Sequence, residues 1–474
     1  MFPQVLNREF VLGQLEDLHD HLEAELSGDA SPRAASADDD VTRDEKAALL
    51  DVIDGARARE RSASSGHAEF DSDASDRRSG EALSLDDVAF ISHDPTVSLV
   101  QSALDAYFHE SSDDASDADR RSVSEGLVES DDPDTPVTGY EWDPAEIRPE
   151  VGRRVFDQFS RLDARWLESK IAEAQRQFGG KAPFNAIPPA PVVLPNRFRL
   201  VLVGDWGSGI PRARKVAKQM RRVLDEGKSE GLCQHVVHLG DVYYSGWPRE
   251  YRDRFLAYWP VDPWEVGTIG SWSINGNHDM FSGGHGYFGT LLGDARFARQ
   301  QQSSTFNFVN DHWRILGLDT AWEDHGLRDP QSSWLAGELA DQSKRTILLS
   351  HHQLVSARGK VAKSALSTKM EPLLRHCSVH AWFWGHEHHC VLFEPYLNIR
   401  FPRCIGHGGV PEYAWRRESQ PLPKGVSYEF RGSFWHTGER WTLFGFAVLD
   451  FDGVALQVRY VDENGTTHHT ESLT

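Results

Sequence analysis

The sequence predicts a layered α/β domain with mixed sheets, preceded by an acidic, partly flexible helical region. Two observations carry this prediction. After residue 196, short apolar runs rich in β-branched residues alternate with helical stretches, and antiparallel strands follow them. Before residue 141, 34 acidic and 11 basic residues give a formal charge of −23, while the 474-residue chain as a whole carries −22. A chain of this length has room for roughly two or three folding units.

Composition also limits the partners and the compartment. A net charge of −22 argues against nucleic acid or an anionic membrane as the main partner. The N-terminal sequence does not have the pattern of a signal peptide, and no apolar run reaches the length of a membrane span. The four cysteines contain no C-x-x-C pair, which is typical of reduced thiols. We therefore expect a cytoplasmic protein.

Residues 1–140 form the acidic region. Apolar spacing predicts a helix over 7–26 and weaker helices near 45–60 and 84–108. The Ser/Asp-rich stretches between them cannot bury enough apolar surface to offset the entropy of ordering, so we expect a mostly flexible region. A compact small domain is the alternative. This acidic region is a candidate site for a protein partner, and the sequence does not specify the oligomeric state.

The remaining chain divides into a connector and a domain. Residues 141–196 contain an amphipathic helix over 151–178 and a Pro-rich connector, and the domain occupies 197–474. Its predicted elements, in order, are strand 198–203, helix 211–227, strands 236–239 and 268–274, a hairpin of 306–309 and 313–318, helix 334–339, strands 346–349 and 379–384, and a final strand pair turning at Asp452-Gly453.

Side chains that bind metals follow five of the predicted strands. In open α/β sheets, ligands bind at the carboxyl ends of the strands, so we expect these clusters to converge. A glycine precedes four of the five clusters, and it lets the backbone turn sharply close to an ion. The candidate residues are Asp205, Asp241 with Tyr244, Asn277 with His278, His351, and His386 with His388.

The donor set is chemically coherent. Two carboxylates, a phenol, an amide oxygen and three imidazoles suit Fe, Mn or Zn better than an ion that prefers thiolates. Seven donors exceed the needs of one tetrahedral zinc, and they suit two ions that share a bridging carboxylate. Each cluster alone could be an ordinary turn or a surface pair, but five in this order favour a metal centre.

The motifs GDWG, GDVYY, GNHD, SHH and GHEH resemble the five-motif signature of the calcineurin-like metallophosphoesterases. Two details resemble the purple acid phosphatase branch. Asp205-Trp206-Gly207 lacks the histidine that most of the superfamily has two residues after the aspartate, and Tyr244 stands three residues after Asp241. The resemblance covers about residues 198–460, and residues 1–195 resemble no family that we can name.

This resemblance implies a four-layer α/β/β/α sandwich of two mixed sheets and assigns a role to each candidate. The first ion, expected to be Fe(III), would bind Asp205, Tyr244 and His388. The second, a divalent Fe, Zn or Mn, would bind Asn277, His351 and His386. Asp241 would bridge the two ions, and His351 is favoured over its neighbour His352. His278 would act on the phosphate and the leaving group without binding metal.

The implied function is that of a dinuclear metal-dependent phosphomonoesterase in which a metal-bound hydroxide attacks phosphorus directly. A phosphodiesterase or nucleotide hydrolase using the same site is the first alternative. A scaffold protein with a relic site is the second. The substrate is a small-molecule or protein phosphoester that the sequence does not identify. Three loops are candidates for selecting it: Phe281–Tyr287, Trp322–Pro330 and Ile405–Tyr413. Each contains one histidine that either contacts the phosphate or is an ordinary exposed loop residue: His285, His325 and His407.

Overall fold

The computed structural model divides the chain into two compact units, Met1–Ala174 and Gln175–Thr474. In the second unit it describes residues 190–358, 363–412, 414, 420–436 and 439–474, together with 176 and 180–184. In the first unit it describes helical positions between 12 and 27 and between 47 and 58, together with 169 and 172.

Both described stretches of the first unit are helical where the sequence predicts helices. The Arg57 guanidinium lies 2.7 Å from the Glu16 carboxylate, which joins the two stretches. The predicted helix over 84–108 and most of the one over 151–178 lie outside the described residues.

The second unit contains two large mixed sheets and a small hairpin sheet. The order of the eight-stranded sheet is β1-β5-β6-β7-β8-β10-β9-β11, and that of the six-stranded sheet is β16-β15-β14-β2-β3-β4. The strands are β1 Val192–Val193, β2 Arg197–Val203, β3 Cys233–His238, β4 Ile269–Ser273, β5 Phe306–Val309, β6 Trp313–Gly317, β7 Arg345–Ser350, β8 Val379–Trp384, β9 Cys390–Phe393, β10 Ile399–Ile405, β11 Val426–Glu429, β12 Ser433–His436, β13 Glu439–Thr442, β14 Gly445–Asp452, β15 Ala455–Asp462 and β16 Thr467–Ser472.

Helices connect several of these strands. The α-helices of the second unit are α1 Pro211–Ser229, α2 Pro248–Glu250, α3 Asn277–Phe281, α4 Gln331–Ala340 and α5 Ala365–Leu374. Shorter 3₁₀ or π turns cover Tyr251–Leu256, Pro263–Glu265, Gly286–Leu291 and Ala295–Gln300. Among the described residues, we find no helix that is both long enough and apolar enough to cross a bilayer.

Helix α1 shows how the sequence sets a boundary and a buried face. Pro211 occupies the first turn, where its missing N–H costs nothing. Val216, Met220 and Leu224 recur at helical spacing and are buried, and the helix packs against β3 and β14 of the six-stranded sheet.

The core lies between the two sheets. Leu200 and Leu202 of β2 share one buried cluster with Ile347 of β7 and Phe383 of β8. A second cluster on the other face of the eight-stranded sheet includes helical residues such as Leu335. Helices therefore cover the outer faces of two packed sheets, which confirms the predicted α/β/β/α sandwich.

Parallel pairing determines where the loops meet. β2, β3 and β4 run parallel in one sheet, and β6, β7 and β8 run parallel in the other. The five motif loops leave the carboxyl ends of β2, β3, β4, β7 and β8. They gather at one edge of the sandwich, as the sequence predicts.

Candidate metal centre

Asp241 lies at the middle of this edge, directly after β3. Its Oδ1 accepts a hydrogen bond of 3.0 Å from the backbone N–H of His278. Its Oδ2 lies 3.3 Å from Nε2 of His351 and 3.2 Å from the Tyr243 hydroxyl. The carboxylate thus contacts groups on both sides, as a bridging ligand must.

The residues predicted for the second ion are brought together. Oδ1 of Asn277 lies 2.8 Å from Nε2 of His351 and 3.1 Å from Nδ1 of His386. Asp241, His351 and His386 each offer one ligand atom, and these atoms lie within 4.8 Å of one another. Nδ1 of His351 donates to the Leu239 carbonyl at 2.9 Å, which turns Nε2 toward the centre.

Two of the residues predicted for the first ion also meet. Oδ1 of Asp205 lies 3.6 Å from Nε2 of His388, and its Oδ2 accepts from the backbone N–H of His386 at 2.8 Å. The Tyr243 hydroxyl joins them, at 3.1 Å from Oδ1 of Asp205 and 2.8 Å from Nε2 of His388. Tyr243 is a site residue that the motif spacing did not identify, and its only sequence signal is the Tyr-Tyr pair.

The predicted phenol ligand, Tyr244, has different neighbours. Its backbone N–H donates to the Glu250 carboxylate, and its carbonyl accepts from Nδ1 of His278 at 2.7 Å. The guanidinium of Arg254 lies 5.5 Å from the centre of its ring. The assignment of Tyr244 as a metal ligand stays a prediction beside the observed position of the Tyr243 hydroxyl.

The backbone at the centre adopts conformations that L-residues rarely take. Asp205, Asp241 and His386 have positive φ angles of 55°, 73° and 67°. The glycines beside them leave no room for a side chain. A Cβ on Gly276 would lie 1.9 Å from Oδ1 of Asp241, and one on Gly385 would lie 2.6 Å from Oδ2 of Asp205.

Asp279 holds two of the loops together, and sequence reasoning did not single it out. Its carboxylate accepts from the backbone N–H groups of Asp241, Val242 and Gly276 at 3.1, 2.9 and 2.7 Å. Burial and the nearby Asp241 charge raise the pKa of Asp279 to about 7. Its position in GNHD, directly after the predicted catalytic histidine, was the available signal.

The charges at the centre fit a bound cation. Asp205, Asp241 and His351 are fully buried. Burial alone would lower the pKa of His351, but the Asp241 carboxylate raises that pKa to about 10. Buried carboxylates need compensating positive charge, and here oxygen and imidazole donors face one another across a few ångströms. This donor set fits divalent or trivalent transition metals.

His278 lies beside the centre in an enclosed pocket. It is buried, and its ring packs against Tyr243 and Phe281 with centroids 4.5 and 4.7 Å apart. Because the Tyr244 carbonyl can only accept, Nδ1 of His278 carries a proton and Nε2 is the nitrogen that can exchange one.

The other histidines considered from the sequence differ in position. Nδ1 of His352 lies 3.0 Å from the Thr320 hydroxyl, and burial lowers the pKa of His352 well below its usual value. His325 packs on His352 with ring centroids 3.8 Å apart. His407 is buried, and burial lowers its pKa to about 3, whereas His285 is exposed.

Comparison with protein families identifies the part of the chain that contains these motifs. Residues 198–390 match the family described as calcineurin-like phosphoesterase. The matched range includes every candidate metal ligand from Asp205 to His388. A comparison with curated protein sequences gives no match.

Solved structures with a similar fold are distant in sequence. The purple acid phosphatase PPD1 from yellow lupin (Lupinus luteus) seeds is 16% identical with a TM-score of 0.41, covering 60% of this chain and 54% of its own. GAP50, the anchor in the inner membrane complex of Plasmodium, is 14% identical with a TM-score of 0.43, covering 59% and 89%. This chain thus spans about half the length of the lupin protein, and with TM-scores below 0.5 we draw no functional conclusion from either likeness.

Proposed function

Because residues 198–390 belong to the calcineurin-like phosphoesterase family, we propose that this protein is a dinuclear metal-dependent phosphomonoesterase. One observation supports the proposal above all others. Five loops from two sheets bring Asp241 within reach of His351 on one side and of the Asp205 pocket on the other. A single bridging carboxylate between two sets of donors is the arrangement that a pair of metal ions requires.

We propose that the centre holds Fe(III) and a divalent Fe, Zn or Mn ion. Asp205, His388 and a tyrosine would hold the first ion, and Asn277, His351 and His386 would hold the second. Supporting this are the mixed oxygen and imidazole donors and the absence of a motif-one histidine, which resembles the purple acid phosphatases. When bound, the metals would supply Lewis acidity that activates water and neutralises charge on the phosphoryl oxygens.

Residues of this chain would space the two ions and deliver the proton. Asp241 would fix the spacing of the two ligand sets, because its Oδ2 lies near His351 on one side and near the Tyr243 hydroxyl on the other. His278 would deliver a proton from Nε2 to the leaving oxygen, since its Nδ1 is held by a carbonyl. The packing of its ring against Tyr243 and Phe281 would keep Nε2 in one orientation.

Metal analysis of the purified protein, with activity assays, tests this proposal. We expect at least two metal ions per chain and faster hydrolysis of p-nitrophenyl phosphate than of its bis ester. The variant Asp241→Asn should lose both metal and activity, because it removes the bridging charge. The matched control, Asp225→Asn on the exposed face of α1, should retain both.

Two outcomes would point elsewhere. Preference for the bis ester would favour the phosphodiesterase or nucleotide hydrolase alternative at the same site. A folded protein that binds no metal and hydrolyses neither ester would favour a scaffold function. We further propose that the protein acts in the cytoplasm, which is supported by the free thiols of all four cysteines.

A further inference from the structure

Three histidines lie together beside the proposed dinuclear centre. His325, His352 and His386 each offer one ring nitrogen, and these ligand atoms lie within 4.8 Å of one another. The centroid of the His352 ring lies 3.8 Å from that of His325 and 4.8 Å from that of His386. All three residues are buried.

His352 provides the strongest evidence that this group binds something. It is fully buried, and its Nδ1 and its backbone N–H both contact the Thr320 hydroxyl. Among the residues that the structure describes, Nε2 of His352 has no hydrogen-bond partner. A buried imidazole nitrogen without a partner is rare in native proteins, and a ligand that binds it explains its position.

A carboxylate completes the set. Oδ1 of Asp324 lies 3.0 Å from Nδ1 of His325 and 3.8 Å from Nε2 of His352. A carboxylate beside the imidazoles either orients a metal-binding histidine or supplies a fourth ligand. Its side chain is about half exposed, so an ion can reach the group from solvent.

We propose that His325, His352 and His386, with Asp324, form a third metal site for a divalent ion of the zinc type. Three imidazoles and one carboxylate are a donor set that zinc binds in tetrahedral geometry. The third site shares one residue, His386, with the proposed dinuclear centre, and only through that residue does it rest on the proposed function. Nδ1 of His386 lies near Asn277, which is predicted to bind the second ion. A histidine can bind a different ion through each of its two nitrogens.

The occupant is a cation and not a phosphate group. The group consists of neutral or cationic imidazoles beside a carboxylate, and that carboxylate would repel an anion. A divalent ion instead matches every group present.

Zinc stoichiometry by equilibrium dialysis of the full-length protein tests the third site. Starting from metal-stripped protein, we expect three zinc ions per chain in the wild type, two at the dinuclear centre and one at the third site. The variant His352→Asn should bind two, because asparagine can keep the contact with Thr320 but lacks Nε2, and His325→Gln should also bind two. The control His380→Gln, which removes a buried histidine bonded to the Leu473 carbonyl, should still bind three.

Replacing zinc with Co²⁺ adds a readout independent of activity, because loss of one tetrahedral site reduces the visible absorption of Co²⁺. If the wild type bound two zinc ions and His352→Asn also bound two, the third site would be refuted and the proposed function would stand. Loss of all metal in His352→Asn with unaltered circular dichroism would refute a separate site. Wild type with no metal and no hydrolysis would instead refute the proposed function.

Discussion

Asp241 shows how much of this centre depends on single residues. Its backbone is left-handed, its carboxylate faces His278 and His351, and its own N–H is bonded to Asp279. The resemblance to the metallophosphoesterases predicted Asp241 as the bridging residue. It could not predict Asp279 as the support, because a carboxylate that accepts three backbone N–H groups is recognised only once the loops are folded.

The first prediction at the scale of single residues concerns which of the two tyrosines binds iron. The Tyr243 hydroxyl lies within 3.2 Å of Asp205, Asp241 and His388. If iron occupies the first position, we expect Tyr243→Phe to abolish the visible absorption band that a phenolate–Fe(III) pair produces, and Tyr244→Phe to retain it. Spectra of the oxidised proteins at equal iron content make the comparison. A band lost only in Tyr244→Phe would support the motif spacing instead.

His278 gives the second prediction. His278→Ala removes a proton donor that is not itself a predicted metal ligand and whose Nδ1 is bonded to the backbone carbonyl of Tyr244. We expect turnover to fall on the order of 10²–10⁴-fold with both ions retained. Steady-state kinetics and metal analysis are measured together, with His376→Ala, at an exposed position, as the control. Stoichiometric loss of metal in His278→Ala would mean that His278 is itself a ligand.

At the scale of elements, the spacing of apolar residues and the positions of proline and glycine predicted most of the helices and strands. The strand at 197–203 and helix α1 match the sequence prediction closely, because both have a clear apolar pattern and α1 begins at proline. Helix α5 was not predicted, because Pro372 inside it argues against a helix, although Leu366, Met370 and Leu374 recur every four residues and are buried. Strand order was also beyond the sequence, because β10 inserts between β8 and β9 through long-range pairing.

The prediction at the scale of elements comes from the close approach of the loop after β4 to the loop after β3. A Cβ at Gly276, between β4 and α3, would lie 1.9 Å from Oδ1 of Asp241, so Gly276→Ala must displace the bridging carboxylate. We expect metal content to fall and activity to drop on the order of 10²-fold, as a displacement of about 1 Å can cause.

Gly337→Ala is the matched control, since a Cβ there meets nothing within 4 Å in helix α4. It should keep metal and activity and stabilise the protein by about 0.5–1 kcal/mol, measured by chemical denaturation. Equal metal content in the two glycine variants would show that the loop tolerates the shift.

For the whole molecule, the acidic segment 1–140 lies within the first of the two compact units. The first unit ends at Ala174, and the metal centre lies entirely within the second. Residues 1–140 carry −23, whereas the rest of the chain is close to neutral. The sequence predicted a separate metal-binding domain after the Pro-rich connector, but the role of the acidic region depends on contacts that composition does not specify.

The last prediction separates the acidic region from the chemistry. We expect a shortened protein that begins at Pro144 to fold, bind metal and hydrolyse a small aryl phosphate at close to the wild-type rate. If the −23 charge of residues 1–140 acts as an electrostatic screen against anionic substrates, deleting these residues should lower KM at low salt. The decrease should be larger for a dianionic monoester than for a monoanionic diester, and it should shrink as salt rises, because screening weakens both repulsions.

A KM independent of salt in both proteins would exclude electrostatic screening and favour a partner-binding role for the acidic region. An insoluble or metal-free shortened protein would show that the second unit needs residues 1–143 in order to fold and bind metal.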